Sequence, residues 1–169
     1  MRINLAVGAG LAALLAFAPA SFAQDTASQK FLKEAIEGNL AEVQMGQVAQ
    51  KNGNNDGVRS FGQLLEKDHS EANQKATAAA SSLGVTAPTA PNSKQKAAYE
   101  RMSKLSGANF DREFVKHMVE DHKKDIKDYE KASKQSDAAG TYAKEALPTL
   151  RKHLDTAQSL SAPSTTRRR

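Results

Sequence analysis

From Phe31 onward the apolar residues recur at steps of three and four, and nowhere do they alternate over the length of a strand. That period puts one face of a helix against a core. Four long segments carry it. FLKEAIEGNLAEVQMGQVAQK is rich in good helix formers, and its stripe runs Phe31, Ala35, Gly38, Glu42, Met45 and Ala49. NGNNDG (Asn52–Gly57) reads as a turn, with Asp56 set to cap a second helix over about Gly57–Leu83 that ends at Gly84. Its stripe is Val58, Phe61, Leu65, then Asp68 or His69, then Ala72, Ala76, Ala79 and Leu83. VTAPTAPN is a proline-punctuated connection, after which Ser93 is placed to cap a short helix reaching about Leu105. SGANFD leads into a third long helix, Phe110 to about Lys134, with Val115, Met118, His122, Asp125 or Ile126, and Tyr129 on one face. A short turn brings in the fourth, about Ala138–Leu160, striped by Ala139, Ala143, Ala146, Leu150, His153, Ala157 and Leu160. Pro148 inside it is expected to kink it or loosen one turn.

Four long helices, joined by short turns within each half and by a longer connection between the halves, predict an all-α protein. The expected architecture is a four-helix bundle with a long crossover carrying a short extra helix. A weak internal repeat agrees with two similar hairpins: Phe31 precedes His69 by 38 residues and Phe114 precedes His153 by 39.

Each long helix sends one polar group inward: Glu42, His69 (or Asp68), His122 and His153. Such groups either pair with one another and fix the helix register, or they hold a metal, since bundle interiors are where helix-borne metal sites are built. Both readings stay open on the sequence. Histidine with carboxylate suits zinc, copper or iron better than calcium. The stretch HMVEDHKKD holds two of the four histidines. His117 and His122 are five residues apart, about 140° around a helix, so they cannot chelate one ion as an i, i+4 pair does. His122 is the inward one, and His117 is expected on the collar beside Asp121.

The segments FLKEAIEGNLAEVQMGQVA, VRSFGQLLEKDHSEAN, FDREFVKHMVEDHKKDI and LPTLRKHL resemble the bacterial domain-of-unknown-function family four-one-four-two, over about Gln29 to Leu160. The resemblance implies a ferritin-like fold and an exported protein, and it brings no settled activity; members are often labelled membrane proteins. Ferritin-like di-iron proteins place a Glu on two helices and an ExxH on the other two. Glu42 fits the first kind, and Glu66 with His69 fits one ExxH. On the fourth helix Leu150 stands where the second Glu of that pattern belongs, giving LxxH at His153, and Glu120 points away from His122. The set is short of the carboxylates that two ferric ions need. The candidate metal ligands are therefore Glu42, Glu66, His69, His122 and His153, without a di-iron centre.

The ends of the chain change the picture of charge and location. Residues 1–23 combine Arg2, an apolar run from Leu5 to Phe17 and small residues at Ser21 and Ala23, the pattern of a secretory leader cleaved after Ala23. The run is shorter than the roughly 20 residues of a membrane-spanning helix. The periplasm is the expected location, which disfavours nucleic acid as a partner. Without Arg2 and the terminal Arg167, Arg168 and Arg169, the basic residues fall from 24 to 20 against 19 acidic ones, so four of the five net positive charges belong to the ends. Residues 24–160 are then a nearly neutral bundle domain. Residues 161–169 form a basic tail, expected to be disordered and suited to weak contact with an anionic envelope surface. The chain has no cysteine, which removes disulfides, thiolate ligands and thiol nucleophiles. No Gly-rich phosphate loop and no strand-borne serine nucleophile is present. The leading expectation is an exported, non-enzymatic helical bundle acting in envelope or stress physiology. The alternatives are a metal-binding protein or oxidoreductase with a His/Glu site inside the bundle, and an envelope adaptor binding a protein or anionic polymer.

Overall fold

The computed structural model describes residues 20–161, with side chains from residue 27 onward. It contains five helices: α1 (Ala20–Asn52), α2 (Asp56–Ser82), α3 (Ser93–Ser103), α4 (Gly107–Ala132) and α5 (Ala138–Ser161). Among the described residues there is no strand, only an isolated bridge between Gly53 and Gly107. The leader and tail readings lie outside the described residues, except that the backbone of Ala20–Ala23 belongs to α1 and Ser161 ends α5. No helix among the described residues is long and apolar enough to cross a membrane.

Two helix starts differ from expectation in the same way. Asn55, not Asp56, caps α2, its side chain accepting from Gly57 N at 2.7 Å. Asp56 instead becomes the first helical residue and pairs with Arg59. Asn92, not Ser93, caps α3, in a reciprocal box with Gln95 at 3.1 and 2.9 Å. In each pair of adjacent capping residues the first one takes the cap, because the amides it satisfies lie two and three residues ahead. Pro148 does not interrupt α5. It lies on the exposed face, where the Lys144 carbonyl that loses its donor is on the solvent side.

α1 and α2 form one hairpin and α4 and α5 the other, with α2 packed on α5 and α1 on α4. Backbone amides of Asn54 and Asn55, in the turn between α1 and α2, donate to the Asp111 carboxylate at 2.9 Å each. Asn52 Nδ2 donates to Leu105 O at 2.9 Å. These bonds tie the start of α4 to the end of the bundle where α1 meets α2. The connection from Leu83 to Ser106 therefore runs the length of the bundle, and all neighbouring helices are antiparallel. One such full-length crossover is the topology of ferritin-like bundles.

α1 and α2 meet most closely at two glycines. A Cβ on Gly46 would stand 2.5 Å from Gly62 O, and one on Gly62 would stand 2.6 Å from Gly46 O. Backbone lies against backbone there, and only glycine fits.

The apolar core is in two blocks. One gathers Met45, Phe61, Leu65, Phe110, Phe114 and Met118, with the Phe110 and Phe114 rings stacked at 5.4 Å. The other gathers Leu32, Ile36, Ala76, Tyr129, Tyr142 and Leu150. Fully burying a large apolar side chain contributes about 1.5–3 kcal/mol, so each block is a strong anchor. Between them lies a buried polar layer: Asn39, Glu42, His69, His122 and His153.

Candidate metal centre

His69, His122 and His153 come from α2, α4 and α5, each from the inward stripe of its helix. Their exposures are 4%, 1% and 0%, and their ring centroids stand 5.3–5.8 Å apart. One ring nitrogen of each lies within 4.8 Å of the others. Among the described residues that group contains the three histidines and no carboxylate.

The partners of the remaining nitrogens fix the tautomers. His122 Nδ1 lies 3.0 Å from Met118 O, which can only accept, so Nδ1 carries the proton. His153 Nε2 lies 2.9 Å from Asp68 Oδ2 and donates to that carboxylate. His69 Nδ1 lies 2.9 Å from Asn39 Oδ1. The Asn39 amide is oriented by its other end, where Nδ2 donates to Tyr142 OH at 3.0 Å, so His69 also donates from Nδ1. Three lone pairs are left over, on His69 Nε2, His122 Nε2 and His153 Nδ1. His69 Nε2 has no hydrogen-bond partner. His122 Nε2 and His153 Nδ1 face each other at 3.3 Å.

Burial disfavours the charged form of all three rings. His122 is brought down to about 4, first by burial and then by His153 beside it. His69 is held well below the ordinary histidine value by burial and by both neighbouring rings. Burial lowers His153 as well, partly offset by its bond to Asp68. Neutral imidazoles with their outer nitrogens bonded to a carboxylate, a backbone carbonyl and an amide oxygen are arranged as metal-binding histidines are. Two nitrogens about 2.0–2.1 Å from a tetrahedral zinc stand roughly 3.3–3.4 Å apart, close to the His122–His153 separation.

The two glutamates are placed differently. Glu66 turns away from the rings and accepts from Gln47 and Gln50 at 2.9 and 2.6 Å, which lower its pKa. The Gly46–Gly62 contact holds its backbone close against α1, and its carboxyl takes the two α1 amides rather than the interior. The ExxH reading of Glu66 with His69 is corrected accordingly: the spacing is helical, but the carboxylate serves the α1–α2 contact. Glu42 lies in the polar layer, 3% exposed, with Oε2 lacking a partner. Its carboxyl faces Asp121 and Asp125, and burial, reinforced by both, raises its pKa well above the usual range. Asp121 therefore turns to Glu42 and makes no bond to His117. His117 is half-buried beside Ala98 and Met102, away from the three rings.

Three contributors lie outside the sequence-derived set of ligands. Asp68 is expected only as the alternative to His69 in the inward stripe, yet both serve: His69 points inward, and Asp68 holds His153. Asn39 sits three residues before Glu42 and four after Ala35, a helical step that could have flagged it. Tyr142 lies three residues after Ala139, on a stripe that the alanines on either side obscure.

Comparison with curated proteins finds no match, and comparison with solved structures finds none. The family model for a domain of unknown function, DUF4142, matches residues 15–160, and the chain belongs to that family.

Proposed function

We propose that this protein is an exported metal-binding bundle that holds one transition-metal ion, zinc, copper or iron, at His69, His122 and His153. The observation that carries the reading is the convergence of one ring nitrogen from each of three buried histidines, each ring held by an acceptor at one of its nitrogens. All-nitrogen coordination suits these ions and not calcium or magnesium. The set differs from a di-iron centre because no carboxylate joins it. Export to the periplasm rests on the leader pattern of residues 1–23, and weak contact with an anionic surface on the arginines of the tail.

A second reading has one observation in its favour, the bond from His153 to Asp68. A proton on His153 Nδ1 would make a buried imidazolium–carboxylate pair that also donates to His122. The 3.3 Å separation is long for such a charge-assisted bond, which runs about 2.7–2.9 Å.

Thermal unfolding of chelator-stripped protein with and without each metal separates the two. Binding to the folded state alone stabilises by about 2.7 kcal/mol at a ligand concentration 100 times Kd. The metal reading expects a rise in Tm with a one-to-one stoichiometry by elemental analysis, lost in His69→Ala, His122→Ala and His153→Ala and kept in His117→Ala. A Tm that ignores all three metals, or a rise that survives loss of the three histidines, would sink it.

A further inference from the structure

Three nitrogens are one donor short of a closed tetrahedral set. Structural zinc sites fill all four positions with protein atoms, whereas reactive sites leave one to solvent or substrate. The polar groups bonded to the three rings are already committed. Asp68 accepts from His153, Asn39 from His69, and Met118 O from His122. Glu42 Oε2 has no partner, but the carboxyl faces Asp121 and Asp125 and does not join the group of converging ring nitrogens.

Space lies beside two of the three rings. A cavity of about 120 Å³ runs between α2 and α5. Its wall includes two of the three rings, His69 and His153, together with Asn39, Asp68, Tyr129 and Tyr142. This volume admits a few waters or a molecule of a few heavy atoms, not a larger organic substrate. An ion held by three neutral imidazoles keeps its full positive charge, which favours a small anion. Asp68, Glu71 and Glu145 in the same wall, against Lys75, disfavour a multiply charged one.

We infer that an ion bound by the three histidines keeps one exchangeable coordination position, reached through the α2–α5 cavity and open to a small neutral molecule or monoanion. The inference rests on the metal reading and makes the centre a place where a small ligand is bound and exchanged, not a closed structural site.

Cobalt(II) loaded into the purified protein tests it, because its visible spectrum reports both coordination number and ligand exchange. Azide is the probe. The expected result is a saturable spectral change on adding azide to the cobalt-loaded protein. Ala72→Leu and Ala146→Leu, both in the cavity wall and neither a ligand, should weaken azide binding at least tenfold while leaving cobalt affinity within about twofold. Two variants are used so that a folding defect in one does not decide the outcome. Cobalt binding with no response to azide overturns the exchangeable position. An unchanged azide affinity in both wall variants overturns the route through this cavity. Cobalt that fails to bind, or binds without the three histidines, overturns the metal reading itself and this inference with it.

Discussion

His122 Nε2 and His153 Nδ1 lie 3.3 Å apart, and each presents a lone pair to the other. In the metal-free protein that contact is unfavourable, and it is held by the bonds on the far side of each ring. Replacing one ring with alanine should therefore cost more than replacing both with leucine. His153→Ala leaves the half-buried Asp68 without its donor and should cost about 1–3 kcal/mol. His122→Leu with His153→Leu also takes the donor from the half-buried Asp68, but it removes both lone pairs and keeps the layer packed. Urea unfolding of the metal-free double variant should fall within about 1 kcal/mol of wild type or above it. A double variant that loses more than the single one would mean the pair is bonded through a shared proton.

Asp125 and His122 pull stability in opposite directions as pH falls. Burial, with Asp121 beside it, raises the Asp125 carboxyl from 3.8 to about 7, so the folded state takes up its proton first and acidification through that range stabilises it. His122 moves from 6.5 to about 4, so the unfolded state takes up its proton first and acidification through that range destabilises the fold. Asp125→Asn removes only the first effect. The variant should be more stable than wild type at pH 8, by about 1–3 kcal/mol once solvent screening of a side chain 24% exposed is included. It should lose that advantage toward pH 4 and fall more steeply between pH 6.5 and 4. Parallel Tm profiles for the two proteins would contradict this.

Asn39 holds His69 in the tautomer that leaves Nε2 free. Asn39→Leu removes the acceptor and should weaken metal binding about 10- to 100-fold, the usual effect of losing such an outer partner. Asn39→Asp keeps an acceptor at the same place and should retain binding. The tautomer itself is readable in the metal-free protein from the nitrogen-15 shifts of His69. Wild type and Asn39→Asp should carry the proton on Nδ1. A His69 tautomer that does not change in Asn39→Leu would remove the role assigned here.

The α1–α2 contact should be intolerant of a single methyl group. Gly62→Ala meets Gly46 O at 2.6 Å and the Ala49 Cβ at 2.8 Å, and backbone cannot yield as a flexible side chain does. Overpacking of about 1–3 kcal/mol outweighs the ~1 kcal/mol that alanine gains over glycine within a helix. Gly38→Ala, where the nearest atom is Gln95 Nε2 at 4.0 Å, should instead stabilise by up to about 1 kcal/mol. Chemical denaturation measures both, and a stabilising Gly62→Ala would refute the close contact.

The helices and the three histidines were legible in the sequence because both follow from helical period alone. His69, His122 and His153 each stand in a stripe of apolar residues, and a polar residue in such a stripe must go inward. What period cannot give is the direction a long side chain takes after it leaves the backbone. Glu66 has the right spacing to His69 and still reaches the α1 glutamines, because the close approach at Gly46 and Gly62 is a property of two helices together. Glu42 is inward as expected, yet its carboxyl meets Asp121 and Asp125, which only the packing of α1 on α4 decides. Asn39 and Tyr142 belong to the centre through bonds to each other across 103 residues, a pairing that no local pattern encodes.

The polar layer between the two apolar blocks has a consequence for cooperativity. Contacts within each block couple the helices strongly at that end, while the layer between offers hydrogen bonds and few apolar contacts. The bundle is thus built as two cooperative units that share a seam, and amide hydrogen exchange in the metal-free protein should resolve them as two groups with different opening energies. An ion at the seam would grip α2, α4 and α5 at once. Loading would then merge the two units into one, so that occupancy is read out in how many steps the protein unfolds as well as in how hard it is to unfold.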